Sequence, residues 1–291
     1  MAFKHLGVFL HDAPPDDAVL AFAAVLAERG NATSLACVYV RESEHSPDPD
    51  PPAFEAAVRR RLPPGLAART RMQVEPGTGV AQILRAAREF DFDLLLVGRR
   101  LPRSDYDLGA AFHRLARKAP CSVLVVPQGA TPRFDCALVG VDFSDHARRA
   151  LAAALDLARA AGGPQPRLII FANSPIGYGY HAKLGLSFEA AAAQRAQSLC
   201  DELRQYIADA DTAGVRLELV ATTADRTETA IQEAALAHGA ALVVLGSRGA
   251  TMASLLGSVA ERVVHAGVMP VLIVKAQGET HPILDALFGA A

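Results

Sequence analysis

Near the end of the chain, a run of apolar residues is followed by three glycines and a serine: Gly246, Gly249, Gly257 and Ser258. The run, Leu242–Leu245, is partly β-branched, which is typical of a parallel strand covered on both faces. Glycines let a backbone pass close to a ligand, and a helix start offers free N–H groups to a phosphate. Open α/β sheets bind ligands at the carboxyl ends of their strands. The spacing therefore predicts a cradle for an anion or a nucleotide phosphate.

A second interpretation of these residues stays open. Ser258 and Glu261 have the spacing of a capping box, in which Ser258 is the N-cap and Glu261 lies at N3, and that signature needs no ligand. P-loop hydrolysis is excluded because the chain has no Walker A sequence, and the lack of a Gly-x-Gly-x-x-Gly after a first strand argues against NAD binding. The nine histidines lack the paired spacing of a metal site. Ser144, close to His146, is interpreted as a helix N-cap and not as a nucleophile.

The strand and the loop that carry these glycines occur twice in the chain. Leu94–Gly98 aligns with Leu242–Gly246, and Gly109 aligns with Gly257, both shifted by 148 positions. Self-similarity of this kind indicates a duplicated domain. The predicted boundaries are 1–130 for the first domain, 134–276 for the second and 277–291 for a C-terminal tail.

Strand-like and helix-like segments alternate in each copy, which implies parallel strands joined by right-handed crossovers. We therefore predict two tandem Rossmann-like or flavodoxin-like domains, each with a five-stranded, mainly parallel sheet between helices. A long alanine-rich helix is predicted over Phe188–Ala213 in the second copy. In the first copy, the prolines at 47–52 and 63–64 are expected to break up the middle of the domain.

Composition limits the classes of function. The chain has 291 residues, 51% of them hydrophobic, and a formal net charge of −2. The lack of a basic excess argues against nucleic-acid binding, and no apolar run reaches the roughly 20 residues needed to span a bilayer. The four cysteines lie far apart, which indicates buried thiols in a reducing compartment. We expect a cytoplasmic protein without a signal peptide or a membrane segment.

The last strand of each copy is very apolar, yet no crossover helix follows it. These strands, at 123–126 and 271–274, would each form an exposed edge of a sheet. Hydrophobic edge strands are usually paired. We expect the two strands to pair with each other, either within one chain as a pseudo-dimer or between the chains of a homodimer.

Three segments of the second copy occur in a recognisable order: Val139–Ala147 with an aspartate after the first strand, Ala241–Gly249, and Leu256–Val263 with a Gly-Ser helix start. They resemble the universal stress protein family, and the whole chain resembles a tandem member of it. In ATP-binding members the aspartate approaches the ribose, the end of the second strand lines the adenine, and the glycines and the helix start hold the phosphates. The resemblance implies Asp142 for the ribose, Ala172 and Asn173 for the adenine, and Gly246, Gly249, Gly257, Ser258 and Val259 for the phosphates.

The chain departs from the family pattern in the glycine loop. Only seven residues, Ala250–Leu256, separate its last two glycines, fewer than the family motif has. The first copy departs further, because Leu101, Ala110 and His11 align with the middle glycine, the serine and the aspartate. We interpret the first copy as a degenerate site that is kept for structure or dimerisation.

The resemblance implies a stress-response or regulatory protein whose C-terminal domain binds an adenine nucleotide. ATP comes first, ADP and AMP are alternatives, and Mg²⁺ would be held mostly by the phosphates and water. Two other functions stay open: a ligand-free tandem scaffold with a vestigial site, and a slow ATPase. The chain offers no evident general base for hydrolysis, so the ATPase is the weaker hypothesis.

Overall fold

The structure is a computed structural model, and it describes residues 3–10, 17–41, 50–99, 115–160, 162, 165–177, 179, 181, 185–247 and 257–276. Contacts between residues divide the chain into two compact units. One unit comprises Arg133–Val271, and the other comprises Ala2–Pro132 together with Leu272–Ala291. Each copy of the sequence repeat thus forms most of one unit.

The first unit is built around five strands: β1 (His5–Leu10), β2 (Ser34–Arg41), β3 (Arg71–Thr78), β4 (Leu94–Arg99) and β5 (Ser122–Pro127). Its helices are α1 (Asp17–Arg29), α2 (Pro51–Arg59), α3 (Pro64–Arg69) and α4 (Val80–Glu89). These strands are all parallel, in the order β3-β2-β1-β4-β5. Val38, Val8 and Leu95 in its central strands are completely buried, as expected of a parallel sheet covered on both faces.

The prolines of the first unit divide its middle into two short helices. Helix α2 begins at Pro51 and α3 begins at Pro64. Proline suits the first helical position because its missing N–H would have no intrahelical partner there. The carboxylate of Asp50 caps α2 by accepting a hydrogen bond from the Ala53 N–H (3.3 Å). The expected interruption is therefore present, and the prolines also determine where both helices start.

The second unit has strands β6 (Cys136–Gly140), β7 (Arg167–Asn173), β8 (Arg216–Thr222) and β9 (Leu242–Gly246), together with Val271, the first residue of β10 (Val271–Val274). Its helices are α5 (Asp145–Ala160), α6 (Phe188–Ile207), α7 (Thr227–Ala237) and α8 (Ser258–Ala266). Strands β6 to β9 are parallel, in the order β9-β6-β7-β8. Parallel strands alternate with helices in both units, which confirms the predicted α/β class. None of the described helices is long and apolar enough to cross a membrane.

Helix α6 ends earlier than the sequence predicts. The alanine-rich pattern predicts helix as far as Ala213, but the structure ends it at Ile207. The carboxylate of Asp211 accepts a hydrogen bond from the Ala213 N–H (3.2 Å), and the Arg159 guanidinium donates to the backbone carbonyls of both residues. Because these bonds satisfy the backbone outside a helix, the prediction was wrong over 208–213.

A buried lysine follows β10 and belongs to the first unit. Lys275 is 8% exposed, and its Nζ donates to the carbonyl oxygens of Arg117 (3.2 Å) and Ala119 (2.7 Å). Its backbone N–H donates to Ser122 Oγ (3.2 Å). Residues 115–118 are helical, so the ammonium satisfies carbonyls at the negative end of a helix. Lysine is rarely buried without such partners.

Candidate functional site

Most of the predicted site residues lie where strands of the second unit end and helices begin. Because β6, β7 and β9 are parallel, their carboxyl ends lie at one edge of the sheet, where α7 and α8 also start. The structure therefore brings Asp142, Asn173, Gly246 and Ser258 to the same edge. Gly249 and the rest of the loop at 248–256 lie outside the described residues.

The turn after β6 orients a solvent-exposed carboxylate. Oδ1 of Asp142 accepts hydrogen bonds from the backbone N–H of Ser144 (3.1 Å) and from its hydroxyl (2.5 Å). The same hydroxyl oxygen accepts a hydrogen bond from the Ala147 N–H (3.2 Å), so Ser144 caps α5 as the sequence predicts. The serine thus links the start of the helix to the position of the aspartate. The carboxylate is exposed, so it remains accessible to a ligand.

An aromatic cluster holds this turn in place. Phe143 has φ +64, a left-handed conformation that is costly for a bulky residue. Its ring packs edge-on against Tyr206 of α6, with 5.5 Å between centroids, and the Arg148 guanidinium lies 4.6 Å from the centre of the tyrosine ring. The Tyr206 hydroxyl donates to the Ser144 carbonyl (3.2 Å), and burial raises the pKa of Tyr206 to about 12. These contacts stabilise the strained turn and keep the hydroxyl protonated as a donor.

At the end of β7, one predicted site residue is buried and the other is hydrogen-bonded to a neighbouring loop. Ala172 is 1% exposed, so its side chain is not available to a ligand. The amide of Asn173 donates to the Ala224 carbonyl (2.9 Å) and to Thr227 Oγ1 (2.8 Å). Its carbonyl oxygen accepts a hydrogen bond from Thr222 Oγ1 (2.7 Å). The Asn173 side chain therefore fixes the loop between β8 and α7, which ends at the start of a helix on the same edge.

Gly246 is required by helix packing. A Cβ atom on Gly246 would lie 2.7 Å from the backbone carbonyl carbon of His146 and 2.9 Å from its oxygen. These are atoms of the first turn of α5, which cannot rotate away as a side chain can. The next residue, Ser247, is 1% exposed, and its hydroxyl lies 3.4 Å from His146 Nδ1. Strand β9 and helix α5 therefore approach so closely that only glycine fits between them.

Helix α8 begins with backbone N–H groups that have no acceptor within the helix itself. The Gly257 N–H donates to the Ser247 carbonyl (2.9 Å), which joins the two ends of the glycine loop. Gly257 is the N-cap and has no side chain with which to cap the helix. Ser258 is thus the first helical residue, and the capping-box interpretation is wrong about its position. Helical geometry leaves the N–H groups of Ser258 and Val259 without an intrahelical acceptor, and the Ser258 side chain is exposed.

An ionic group beside this helix start was missed by the sequence reasoning. Glu228, near the start of α7, lies between Arg226 and Arg262. Arg262 also donates to Ser258 Oγ (3.4 Å). The spacing of four residues between Ser258 and Arg262 on a helix was the available signal, since such residues lie on one face.

The described part of the chain shows no group of three or more histidine, cysteine, aspartate or glutamate side chains that could hold a metal ion. In the first unit, the three residues on which the prediction of a degenerate site rests, His11, Leu101 and Ala110, lie outside the described ranges. The prediction that this copy is degenerate therefore stays a prediction.

Two α/β units of similar build, each with a parallel sheet, define a tandem Rossmann-like protein. A sequence model of the universal stress protein family matches residues 2–127 and, a second time, residues 134–275. The chain belongs to the universal stress protein family and contains its domain in tandem.

Two solved structures share this fold over most of the chain. A universal stress protein from Archaeoglobus fulgidus is 18% identical, with a TM-score of 0.58, and the match covers 94% of this chain and 97% of that one. A putative universal stress protein from Pseudomonas aeruginosa is 17% identical, with a TM-score of 0.64 and 94% of both chains covered. A universal stress protein solved in complex with cAMP covers 43% of this chain and 99% of that one, at 21% identity and a TM-score of 0.33. No curated protein matches the chain.

Proposed function

We propose that this protein is a stress-response or regulatory protein whose C-terminal domain binds an adenine nucleotide, with ATP as the favoured ligand. One observation carries the proposal: an oriented, exposed carboxylate (Asp142) and an uncapped helix start (Ser258) occur at the same edge of one parallel sheet. Membership of the universal stress protein family supports it, since the motif residues of ATP-binding members align with these positions. The protein would exert its effect through its conformation and its binding partners.

The helix start supplies the phosphate half of the proposed site. The N–H groups of Ser258 and Val259 and the positive end of the helix dipole favour an anion, and the exposed hydroxyl of Ser258 adds a donor. Gly257 contributes differently from its neighbours, because its own N–H is already bonded to Ser247. Its role is to close the loop and to leave space beside the phosphates. A Mg²⁺ ion would be held mainly by the phosphates and water.

The carboxylate supplies the ribose half. Asp142 accepts hydrogen bonds, and the two ribose hydroxyls are donors that an exposed carboxylate can bind. On the adenine side, the backbone at Ala172 and the loop that Asn173 fixes would form the wall. The Asn173 side chain itself acts through that loop.

The proposal is tested by direct ligand detection. Freshly purified protein is denatured, the supernatant is chromatographed for nucleotide, and melting is followed with and without magnesium-ATP. Ligand at a hundredfold its dissociation constant should stabilise the protein by about 2.7 kcal/mol. For a domain of this size, that corresponds to a rise of roughly 5 to 10 °C in melting temperature.

Two variants and a control locate the binding. Asp142→Ala should weaken ATP binding about tenfold or more, the scale of one lost hydrogen bond to a charged group. Gly257→Val should weaken it as well, and the φ of −62 and ψ of 134 at this position are accessible to valine. Asp209→Ala removes an exposed carboxylate just after α6 and should bind as wild type. Gly246→Val is unsuitable because it clashes with the backbone of His146.

The outcomes separate the three functions. Binding that is weakened by Asp142→Ala and not by Asp209→Ala supports the proposal. If the wild-type protein releases phosphate from ATP faster than the Gly257→Val variant does, the protein is a slow ATPase. If neither bound nucleotide nor a melting shift is found, the proposal fails and the chain is a ligand-free scaffold.

The same proposal includes an assembly and a location. The apolar strands at 123–126 and 271–274 would pair within the chain or in a homodimer, and the protein would act in the cytoplasm. Light scattering on the purified protein distinguishes the first two arrangements, because a homodimer has twice the mass of the 30.7 kDa chain.

A further inference from the structure

Glu228 is a buried carboxylate between two arginines. It is 8% exposed, and its Oε1 accepts a hydrogen bond from Arg226 Nε (3.2 Å). Its Oε2 lies 3.5 Å from Arg262 Nε on the neighbouring helix α8. Its own backbone N–H and the two arginines lower the pKa of Glu228, so it stays charged. A buried glutamate with this arrangement can hold a guanidinium in a fixed place.

Arg262 is held beside the first residue of its own helix. It lies one turn after Ser258, and long side chains on a helix point back towards the N-terminus. Its NH2 group donates to Ser258 Oγ (3.4 Å), while its Nε faces Glu228. The side chain is 54% exposed, and a guanidinium has five N–H donors, so donors remain for a ligand. The positive charge therefore lies next to the free N–H groups at the start of α8.

We propose that Arg262 binds a phosphate group of the nucleotide and sets the preference of the site for nucleotides with several phosphates, while Glu228 is a positioning residue that orients it. The inference rests on the proposed function and gives a role to a residue to which the family resemblance assigns none. A guanidinium can donate two parallel hydrogen bonds to phosphate oxygens, which a backbone N–H or a hydroxyl cannot do. Adenosine has no phosphate and would not engage Arg262.

Other charges face the same region. Arg226 also pairs with Glu228, so the buried carboxylate is neutralised while Arg262, still held by it, offers its remaining N–H groups to a ligand. Asp142 and Glu261 are negative and also lie near the helix starts at this edge. A ligand with several phosphates therefore needs a cation to offset their repulsion, and Arg262 is the arginine already bonded to Ser258.

The test compares ligands that differ only in phosphate number. Dissociation constants for adenosine, AMP, ADP and ATP are measured by calorimetry with wild-type protein, R262Q, R262K and E228Q. Arg204→Gln is the matched control, since Arg204 is an exposed arginine of α6 that is hydrogen-bonded to Asp201.

In R262Q we expect ATP to bind about tenfold or more weakly, and adenosine to bind within about twofold of wild type. R262K keeps the charge but loses the paired geometry, so its ATP affinity should lie between those of wild type and R262Q. E228Q should lower the ATP-to-adenosine affinity ratio severalfold, because the guanidinium is no longer held. The control should show no change in that ratio.

The test distinguishes a failure of this inference from a failure of the proposed function. If wild-type protein binds ATP and R262Q has the same ATP-to-adenosine ratio, this inference is overturned and the proposed function stands. If wild-type protein binds no nucleotide, both are overturned. Melting curves without ligand check that each variant folds. If R262Q does not fold, R262K takes its place in the test. An ATP affinity of R262K equal to that of wild type then overturns the inference.

Discussion

Replacing Gly246 with alanine tests most directly whether this glycine serves helix packing or the approach of a ligand. The sequence suggests that Gly246 lets the backbone approach a phosphate, whereas the structure shows it packed against the first turn of α5. A Cβ at this position would lie 2.7 Å from the His146 carbonyl carbon, closer than atoms can approach without a shift. Because the contact is with backbone, the helix or the strand must move.

The size of the effect follows from that contact. Overpacking a tight core costs about 1 to 3 kcal/mol. For domains of this size, that corresponds to a fall of roughly 2 to 10 °C in melting temperature. Gly140→Ala is the informative comparison, since its Cβ would meet only the end of the Leu245 side chain, at 2.5 Å, which can rotate. Gly65→Ala meets nothing within 4 Å and should be neutral or stabilise by up to about 1 kcal/mol.

Thermal and urea unfolding of Gly246→Ala, Gly140→Ala and Gly65→Ala, without ligand, measure these differences. We expect Gly246→Ala to be the least stable and Gly65→Ala the most stable. A Gly246→Ala protein that melts at the wild-type temperature but no longer binds ATP would refute the packing argument. Gly246 would then serve ligand approach, as the sequence alone suggests.

Three further predictions concern groups buried by the fold. Lys275→Met should lower the free energy of unfolding by about 1 to 3 kcal/mol, because two carbonyls at the end of the helical residues 115–118 lose their donor; urea unfolding measures this. Tyr206→Phe should lower the free energy of unfolding by about 0.5 to 1.5 kcal/mol, because one hydrogen bond is lost. The urea midpoint should fall, and the dependence of the free energy on urea concentration should not change. Burial raises the pKa of Cys37 and Cys121 from 9.0 to about 12. The unfolded chain therefore loses these protons first, and stability should fall as pH rises from 9 towards 12.

Each of these has its own control. Lys118→Met changes a lysine that is only partly buried and should cost less than Lys275→Met; equal losses would contradict the capping role of Lys275. A Tyr206→Phe midpoint equal to wild type would mean that the hydroxyl contributes nothing to the turn. Replacing Cys37 and Cys121 together with alanine should flatten the decline of stability between pH 9 and 12, and an unchanged slope would assign the decline to other groups.

Much of the fold could be predicted because its signals are local. Apolar β-branched runs such as Leu94–Val97 and Leu242–Leu245 indicate buried strands wherever they occur, and their alternation with helices implies parallel pairing. The N-cap at Ser144 could be predicted for the same reason, since its partner lies three residues away. The end of α6 could not, because the turn at Asp211 depends on a guanidinium from another helix.

The edge of the sheet that carries Asp142 and Ser258 was predictable, but the contacts of each residue were less so. The order of the strands brings Asp142 and Ser258 to one edge, and the sequence motif anticipates that edge. The sequence does not reveal that Asn173 fixes a loop or that Glu228 holds Arg262, because the partners come from different helices and strands.

The sequence by itself determines the duplication, the α/β class and the family, because the repeated segments and the alternation of strand-like and helix-like runs can be read along the chain without its three-dimensional contacts. The tertiary structure decides what those residues do. Gly246 lies 100 positions from His146 in the chain, and only the close approach of β9 to α5 shows why no side chain fits there. The left-handed turn at Phe143 is likewise stabilised by Tyr206, far along the chain. Packing between distant segments, which spacing does not encode, sets the roles of these residues.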